Sequence, residues 1–429
     1  MIKQKTSKSK QRITDNLVTH IFTTSNHPIK RVAREKQEVY LAGMGALLYD
    51  VSNGDANVEL LYNALCFSII GECSSTKWFN KRGLNAISRA ITTERKWWKP
   101  WSIQKTFFFD CFYILEAIDC ELRNKANQKL KDFCSTFGKK QLSECFRAFF
   151  EHSLANIKQL DAELIGLYDN NQKFNEKILF TVLVVANVSA GKSTLINALT
   201  GKNIVKSGNL ACTQRLCRLY NKPTKDLILY KKDRYHFVKE FDKILSTEVE
   251  EISFPFSSLL GSERICFIDT PGVNNSQTEI HKEVTTKAIE DNGYDLLLYV
   301  LNAKYIGTTD EQTLLEYVHM HCRKPIIFVL NQLDNYDEES DEIVESLNDV
   351  KKDIENVGIK NPIIVPISAK AALAIKTGND TLSKYYAKLF DNPYYDMPHY
   401  FTTGFNSKSL IEKTGINILE EIIIKILNQ

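Results

Sequence analysis

The residue types that can do chemistry crowd into one stretch, Asn187-Val188-Ser189-Ala190-Gly191-Lys192-Ser193-Thr194. Its ending, Gly191-Lys192-Ser193-Thr194, is what a phosphate-binding loop needs. Backbone N–H groups of such a loop, with the positive end of the following helix, cradle phosphate oxygens. Lys192 would reach the β- and γ-phosphates of a nucleoside triphosphate, and the Ser193 hydroxyl would ligate Mg²⁺. Asn187, Ser189, Ala190, Gly191 and Thr194 complete the expected phosphate contacts. The first glycine of the usual pattern is Ala186, so the loop entrance must accommodate a Cβ. Alone, the stretch specifies a triphosphate and leaves the base open.

Further segments narrow the ligand. In Asp269-Thr270-Pro271-Gly272, Asp269 would hold Mg²⁺, mostly through water, and the Gly272 N–H would sense the γ-phosphate. In Asn331-Gln332-Leu333-Asp334, the Asp334 carboxylate can accept hydrogen bonds from the N1 and N2 donors of guanine. Adenine lacks that donor pair, and a site built for it rejects the wrong base strongly. Ser368-Ala369-Lys370 would meet the guanine O6 through its backbone. Between the loop and Asp269 lies Gly208-Asn209-Leu210-Ala211-Cys212-Thr213, where Thr213 is the expected mobile Mg²⁺ ligand. Each segment is weak alone. In this order, at successive strand ends, they imply a guanine-nucleotide site and disfavour an ATPase.

Strands must end at these segments to position them. The run Ile178–Val185 is apolar except for Thr181, as a strand buried on both faces would be. Predicted strands are Leu179–Val185, Leu227–Lys231, Ile265–Ile268, Leu296–Leu301, Pro325–Leu330 and Ile363–Pro366. Helical patterns lie between most of them; one stops at Gly201, and Ile416–Leu427 reads as a closing helix. The expected fold is α/β: a P-loop domain with a doubly wound, mostly parallel sheet, preceded by an all-α module. In that module Tyr40, Leu41, Met44, Leu47 and Leu48 recur at helical spacing. Asn53-Gly54-Asp55 reads as a turn, and Leu60, Leu61, Leu65, Phe67 and Ile70 as a second helix. Phe108, Cys111, Phe112, Leu115 and Ile118 would share a face, with Gly138 separating two later helices. The polar run Asp169-Asn170-Asn171-Gln172 marks the expected boundary. The organisation read this way is a basic, flexible tail over 1–36, a helical module over 37–172 and the nucleotide domain over 173–429.

Composition narrows the class. The 429 residues are 43% hydrophobic and 25% charged, ordinary for a globular protein with room for two to three domains. A net charge of +3 does not mark a nucleic-acid binder, and nucleic acid is not an expected partner. None of the ten cysteines forms a CxxC pair. No secretory signal or membrane-spanning run is present, so a cytoplasmic location with reduced thiols is expected. Lys3, Lys5, Lys8, Lys10 and Arg12 read first as a mobile tail and second as a contact for anionic lipid or nucleic acid. Trp78, Trp97, Trp98 and Trp101 stand among Lys81, Arg82, Arg95, Lys96 and Lys99. That mixture suits a membrane interface or single-stranded nucleic acid; a helix corner with outward cations is the favoured reading. Arg215 is read as a solvated cation ahead of a charge stabiliser across a dimer, His281 as a surface residue, and Asp337–Glu345 as an exposed helix start.

The segments ANVSAGKSTLINALTG, NLACTQRL and DTPGVNN resemble the dynamin superfamily, especially its bacterial dynamin-like members, over about Lys177–Gln429. The resemblance implies GTP hydrolysis with Mg²⁺, GTP and GDP as ligands, and a G-domain homodimer or related partner subunit that completes the catalytic site. With less force it implies peripheral action at an anionic membrane. Val188 stands where eukaryotic dynamins carry a water-orienting glutamine, and Val273 after DTPG is also apolar. Turnover then rests on Ser189, Lys192, Thr213 and the Gly272 backbone, with a partner in trans. The alternative is a nucleotide-gated switch with little intrinsic hydrolysis. Gln332 replaces the usual lysine of the base motif, which implies weaker nucleotide affinity. Dynamins place a helical stalk after the G domain; here the module over 37–172 is the segment that would offer a stalk-like or partner-binding surface.

Overall fold

The computed structural model describes residues 26–71, 87, 103–157, 160–205, 216–224, 227–231, 234–238, 249–271, 279–303, 307–335, 343–379, 384 and 410–429. The basic tail up to residue 25, the four tryptophans, Thr213, Arg215, Gly272 and Val273 lie outside the described residues, as does most of the acidic run Asp337–Glu345. The chain divides into two compact units between Lys177 and Ile178. A short strand, β4 (Arg234–Val238), groups with the first unit.

The first unit is helical: α1 (Arg34–Ser52), α2 (Ala56–Ile70), α3 (Ile103–Glu116), α4 (Cys120–Phe133), α5 (Thr136–Phe150) and α6 (Ala162–Glu176). The expected turn between α1 and α2 forms as read. Asn53 adopts the left-handed conformation that ends α1, and the Asp55 carboxylate accepts from the N–H groups of Asn57 and Val58 to start α2. The sequence suggests one apolar face for α3, yet every residue from Lys105 to Leu115 is buried. A helix apolar nearly all round belongs at the centre of a bundle. Its buried Asp110 is satisfied by the Tyr40 hydroxyl at 2.5 Å and by His27 Nε2 at 3.1 Å. The Ile29 N–H donates to His27 Nδ1, which leaves Nε2 as the protonated nitrogen facing the carboxylate.

Two local expectations for this unit are corrected. Gly138 does not separate helices; it lies in the first turn of α5, where Ser135 Oγ accepts its N–H. The break falls at Cys134–Ser135, because a serine cap starts a helix more strongly than one glycine stops it. The polar run Asp169–Gln172 is not a linker but the middle of α6. Leu164, Leu167, Tyr168, Asn171 and Phe174 keep one buried stripe running through it.

The second unit is built on β1 (Phe180–Ala186), β2 (Cys217–Asn221), β3 (Leu227–Lys231), β5 (Glu251–Phe254), β6 (Ile265–Asp269), β7 (Leu296–Asn302), β8 (Ile326–Asn331) and β9 (Ile363–Pro366). Their order is β3-β5-β2-β6-β1-β7-β8-β9. The run β6-β1-β7-β8-β9 is parallel, and β2 joins β6 antiparallel. All six predicted strands are present; β2, β4 and β5 were not predicted. Central β1 pairs with β6 and β7 and is buried along its length except at Thr181, which accounts for an apolar run that only Thr181 interrupts. The helices are α7 (Lys192–Thr200), α8 (Glu279–Asp291), α9 (Thr309–His321), α10 (Ile343–Asn356), α11 (Ala369–Lys376) and α12 (Ile416–Leu427). Gly201 ends α7 at φ 69°, as the sequence suggests, and Glu345 lies exposed in the first turn of α10.

His281 is not on the surface. It is 9% exposed on α8, and its inward stripe continues through Thr285, Ala288 and Ile289. Thr285 Oγ1 donates to the Pro271 carbonyl, so α8 turns this face toward the end of β6. Closing helix α12 is pinned by a buried ion pair between Glu420 and Lys376 of α11. Lys376 also donates to the Ala198 carbonyl of α7 at 2.9 Å, and the Leu259 N–H donates to Glu420. Burial pushes the Glu420 carboxyl above its usual range and the Lys376 ammonium below its own.

Candidate functional site

The predicted site residues that lie among the described residues gather where the parallel strands end. Ala186, Asp269, Asn302, Asn331 and Pro366 close β1, β6, β7, β8 and β9, the edge at which open α/β sheets bind ligands. Register sets the neighbours: Val184 pairs with Asp269, and Asn302 with Asn331.

The loop from β1 to α7 takes its shape from two left-handed residues, Ser189 at φ 67° and Gly191 at φ 83°. Ala186 is a buried strand residue without positive φ, so its Cβ costs the entrance nothing. Gly191 is required for two reasons. Its φ suits glycine, and a Cβ there would lie 2.3 Å from Asn331 Nδ2. Lys192, Ser193 and Thr194 form the first turn of α7, whose unpaired N–H groups and dipole favour an anion.

Three amides hold the loop from the side. Asn331 Nδ2 donates to the Ala190 carbonyl at 2.9 Å. Gln332 Nε2 and Asn302 Nδ2 both donate to the Ser189 carbonyl, at 2.6 and 3.3 Å. Gln332, itself at φ 70°, thus ties the base motif to the loop with a neutral amide. Asn331 Oδ1 accepts from the Ala369 N–H at 3.1 Å, joining the third segment. Ser368 Oγ donates to Asp334 at 2.7 Å and caps α11 by accepting from the Ala371 N–H. Lys370 is exposed in that first turn.

Lys192 and Asp269 form a buried ion pair, with Asp269 only 1% exposed. The carboxylate expected to attract Mg²⁺ therefore already holds a cation, the ammonium expected to reach phosphate. Hydroxyl and carboxylate oxygens from Ser193 and Asp269 are hard donors that suit Mg²⁺. Thr213 and Gly272, the other expected participants, fall outside the described residues.

Sequence reasoning overlooked Glu311 and Asn302. Thr308 caps α9 and Glu311 stands three residues on, the spacing of a local capping box. The Glu311 N–H does face Thr308 Oγ1, but its carboxylate turns elsewhere. One oxygen accepts from the Tyr299 hydroxyl at 2.6 Å and the other from Asn187 Nδ2 at 2.8 Å. Burial pushes this carboxyl above its usual range, and the two hydrogen bonds draw it back. Asn302 carried no local signal; its place beside Asn331 follows from strand register.

Residues 182–333 match the sequence profile described as the Dynamin family. The chain is 29% identical over 232 residues to an uncharacterised protein from the xynA 3′ region of a Caldicellulosiruptor species, spanning 50% of this chain and 56% of that one. It is 28% identical over 207 residues to a probable chloroplastic FZO-like transmembrane GTPase of Arabidopsis thaliana, spanning 47% of this chain but 20% of that protein. Identity to GTPase Era of Fusobacterium nucleatum is 24% over 257 residues, 58% of this chain and 71% of that one. Among solved structures, Era bound to MgGDPNP and a 16S ribosomal RNA segment is similar at 19% identity and TM-score 0.30, covering 49% of this chain and 57% of that one. A chain of an oligomerised bacterial dynamin pair is similar at 16% identity and TM-score 0.40, covering 96% and 60%.

Proposed function

The chain carries a G domain of the dynamin superfamily, and from that premise we propose that it binds GTP with Mg²⁺ and hydrolyses it to GDP and phosphate. The observation that carries the reading is Asn331, whose one side chain joins the phosphate loop at Ala190 to the base segment at Ala369. On this reading Asp334 accepts the guanine N1 and N2 donors, oriented by Ser368. Lys192 leaves Asp269 for the β- and γ-phosphates when nucleotide enters, and Asp269, Ser193 and Thr213 hold Mg²⁺. Bound there, the ion neutralises developing phosphate charge. Ser189 and the Gly272 N–H act beside the γ-phosphate.

Hydrolysis is completed by a second G domain or a partner subunit, and residues 37–172 supply the surface that couples the cycle to other molecules. Val188, exposed and apolar on the loop, supports this dependence, because it offers no amide to orient water. The same observation supports a second reading, a nucleotide-gated switch with little intrinsic hydrolysis. No helix among the described residues is long and apolar enough to cross a membrane. On this proposal action at a membrane is peripheral and the protein works in the cytoplasm.

GTP turnover measured against protein concentration, with Lys192→Ala as blank and ATP as competitor, tests these readings. Specific activity that climbs with concentration and vanishes in the variant supports assembly-completed catalysis. A flat, near-zero rate with intact GTP binding favours the switch. Equal competition by ATP overturns guanine selectivity.

A further inference from the structure

We infer that Glu311 is a positioning residue for nucleotide binding: through Asn187 it fixes the phosphate loop to helix α9. The inference rests on the GTP-binding reading above and adds a residue from outside the recognised motifs.

The argument begins with where the carboxylate goes. A glutamate three residues after a threonine cap ordinarily turns back to its own helix end, where solvent is close and the contact inexpensive. Glu311 instead sits 9% exposed, with both carboxylate oxygens committed to residues outside α9. Burying a carboxylate is unfavourable unless hydrogen bonds replace its water. Here they come from Tyr299, in the middle of β7, and from Asn187, the first residue of the loop after β1. The Asn187 carbonyl in turn accepts from the Ala190 N–H across the loop turn. A connected path thus runs from α9 through Glu311 and Asn187 to the turn that presents the loop N–H groups.

This tie acts at the opposite end of the loop from the amide clamp. Asn331, Gln332 and Asn302 grip the carbonyls of Ser189 and Ala190. Glu311 thus adds a hold at the Asn187 end of the loop and gives Asn187 a charged acceptor. The titratable groups acting on the Glu311 carboxyl are Tyr299, on β7, and Asp310, its neighbour on α9. A glutamine can replace the pair of contacts: its carbonyl accepts from Asn187, and its amide donates to the Tyr299 oxygen.

The test is GDP affinity by titration calorimetry on the full chain, alongside each variant's melting temperature. Glu311→Ala and Asn187→Ala are each expected to weaken GDP binding by about tenfold to a hundredfold, the usual worth of a charge-assisted hydrogen bond. The double variant should be no weaker than the worse single one, because both remove the same tie. Glu311→Gln should restore most of the affinity. Glu311→Ala binding GDP within twofold of wild type, whatever its melting temperature, overturns the inference. So do additive losses in the double variant, or a glutamine variant as weak as the alanine one. If Glu311→Ala does not fold, Asn187→Ala decides: GDP binding within twofold of wild type overturns the inference. Wild-type protein that fails to bind GDP overturns the nucleotide reading itself, a different result.

Discussion

Lys376→Met removes a charge while keeping most of the apolar stem, and it isolates the contact that pins α12. The lysine bonds to Glu420 and to the Ala198 carbonyl at the end of α7. Glu420 is 0% exposed, so the variant leaves a buried carboxylate with the Leu259 N–H at 3.2 Å as its remaining hydrogen-bond donor among the described residues. Breaking a buried pair from one side costs about 3–5 kcal/mol. That is a large share of a total stability of about 5–15 kcal/mol. The carboxylate can escape part of the cost by taking up a proton, at about 1.4 kcal/mol per pH unit. Burial already raises its pKa above the unfolded value, and losing the lysine raises it further. The native state then holds the proton over a pH range where the unfolded state has released it. Stability of the variant must fall as pH rises through that range. Urea denaturation at pH 6 and pH 8, followed by circular dichroism on the transition that GDP shifts, measures this. The loss should be largest at pH 8, and Lys376→Met/Glu420→Gln should recover most of it without the pH dependence. A loss below about 1 kcal/mol at pH 8, or a double variant no better than the single one, refutes the reasoning.

Gly191→Ala should abolish tight GDP binding by calorimetry, since the left-handed backbone costs a Cβ-bearing residue about 1–2 kcal/mol and the new methyl meets Asn331. Asp334→Asn turns hydrogen-bond donors toward the guanine donors; competition assays should show GTP affinity falling by about 10⁴-fold while xanthine triphosphate gains. Asn221→Ala should cost about 2–3 kcal/mol in urea unfolding. Its side chain faces the carbonyls of Leu260, Gly261 and Glu263 and accepts the Phe256 N–H, all away from the site, so GDP affinity should hold.

Local chemistry alone determined much of this protein. Unbroken apolar runs identified the buried parallel strands, because strands covered on both faces cannot alternate. Gly201 and Asn53-Gly54-Asp55 were legible as helix ends, since a positive φ or a capping carboxylate acts over a few residues. The loop after β1 and the Asn331–Asp334 segment stood out for the same reason: their residue types and order are those that contacts to a nucleotide would require. What escaped depended on partners distant in sequence. Strands β2 and β5, reading CRLYN and EISF, are too short and polar to announce themselves, and they exist because neighbours pair with them. His281 looked like surface until α8 turned its stripe toward Pro271. The sequence placed Asn331 and Gln332 at the base; only strand register brought them, with Asn302, onto the carbonyls of Ser189 and Ala190. Glu311 makes the division plainest. Its spacing from Thr308 is a complete local explanation, yet its carboxylate reaches Asn187, 124 residues away in the chain. Periodicity and caps act within a helix or a turn, whereas the choice between two hydrogen-bond partners is made once the sheet brings them into reach.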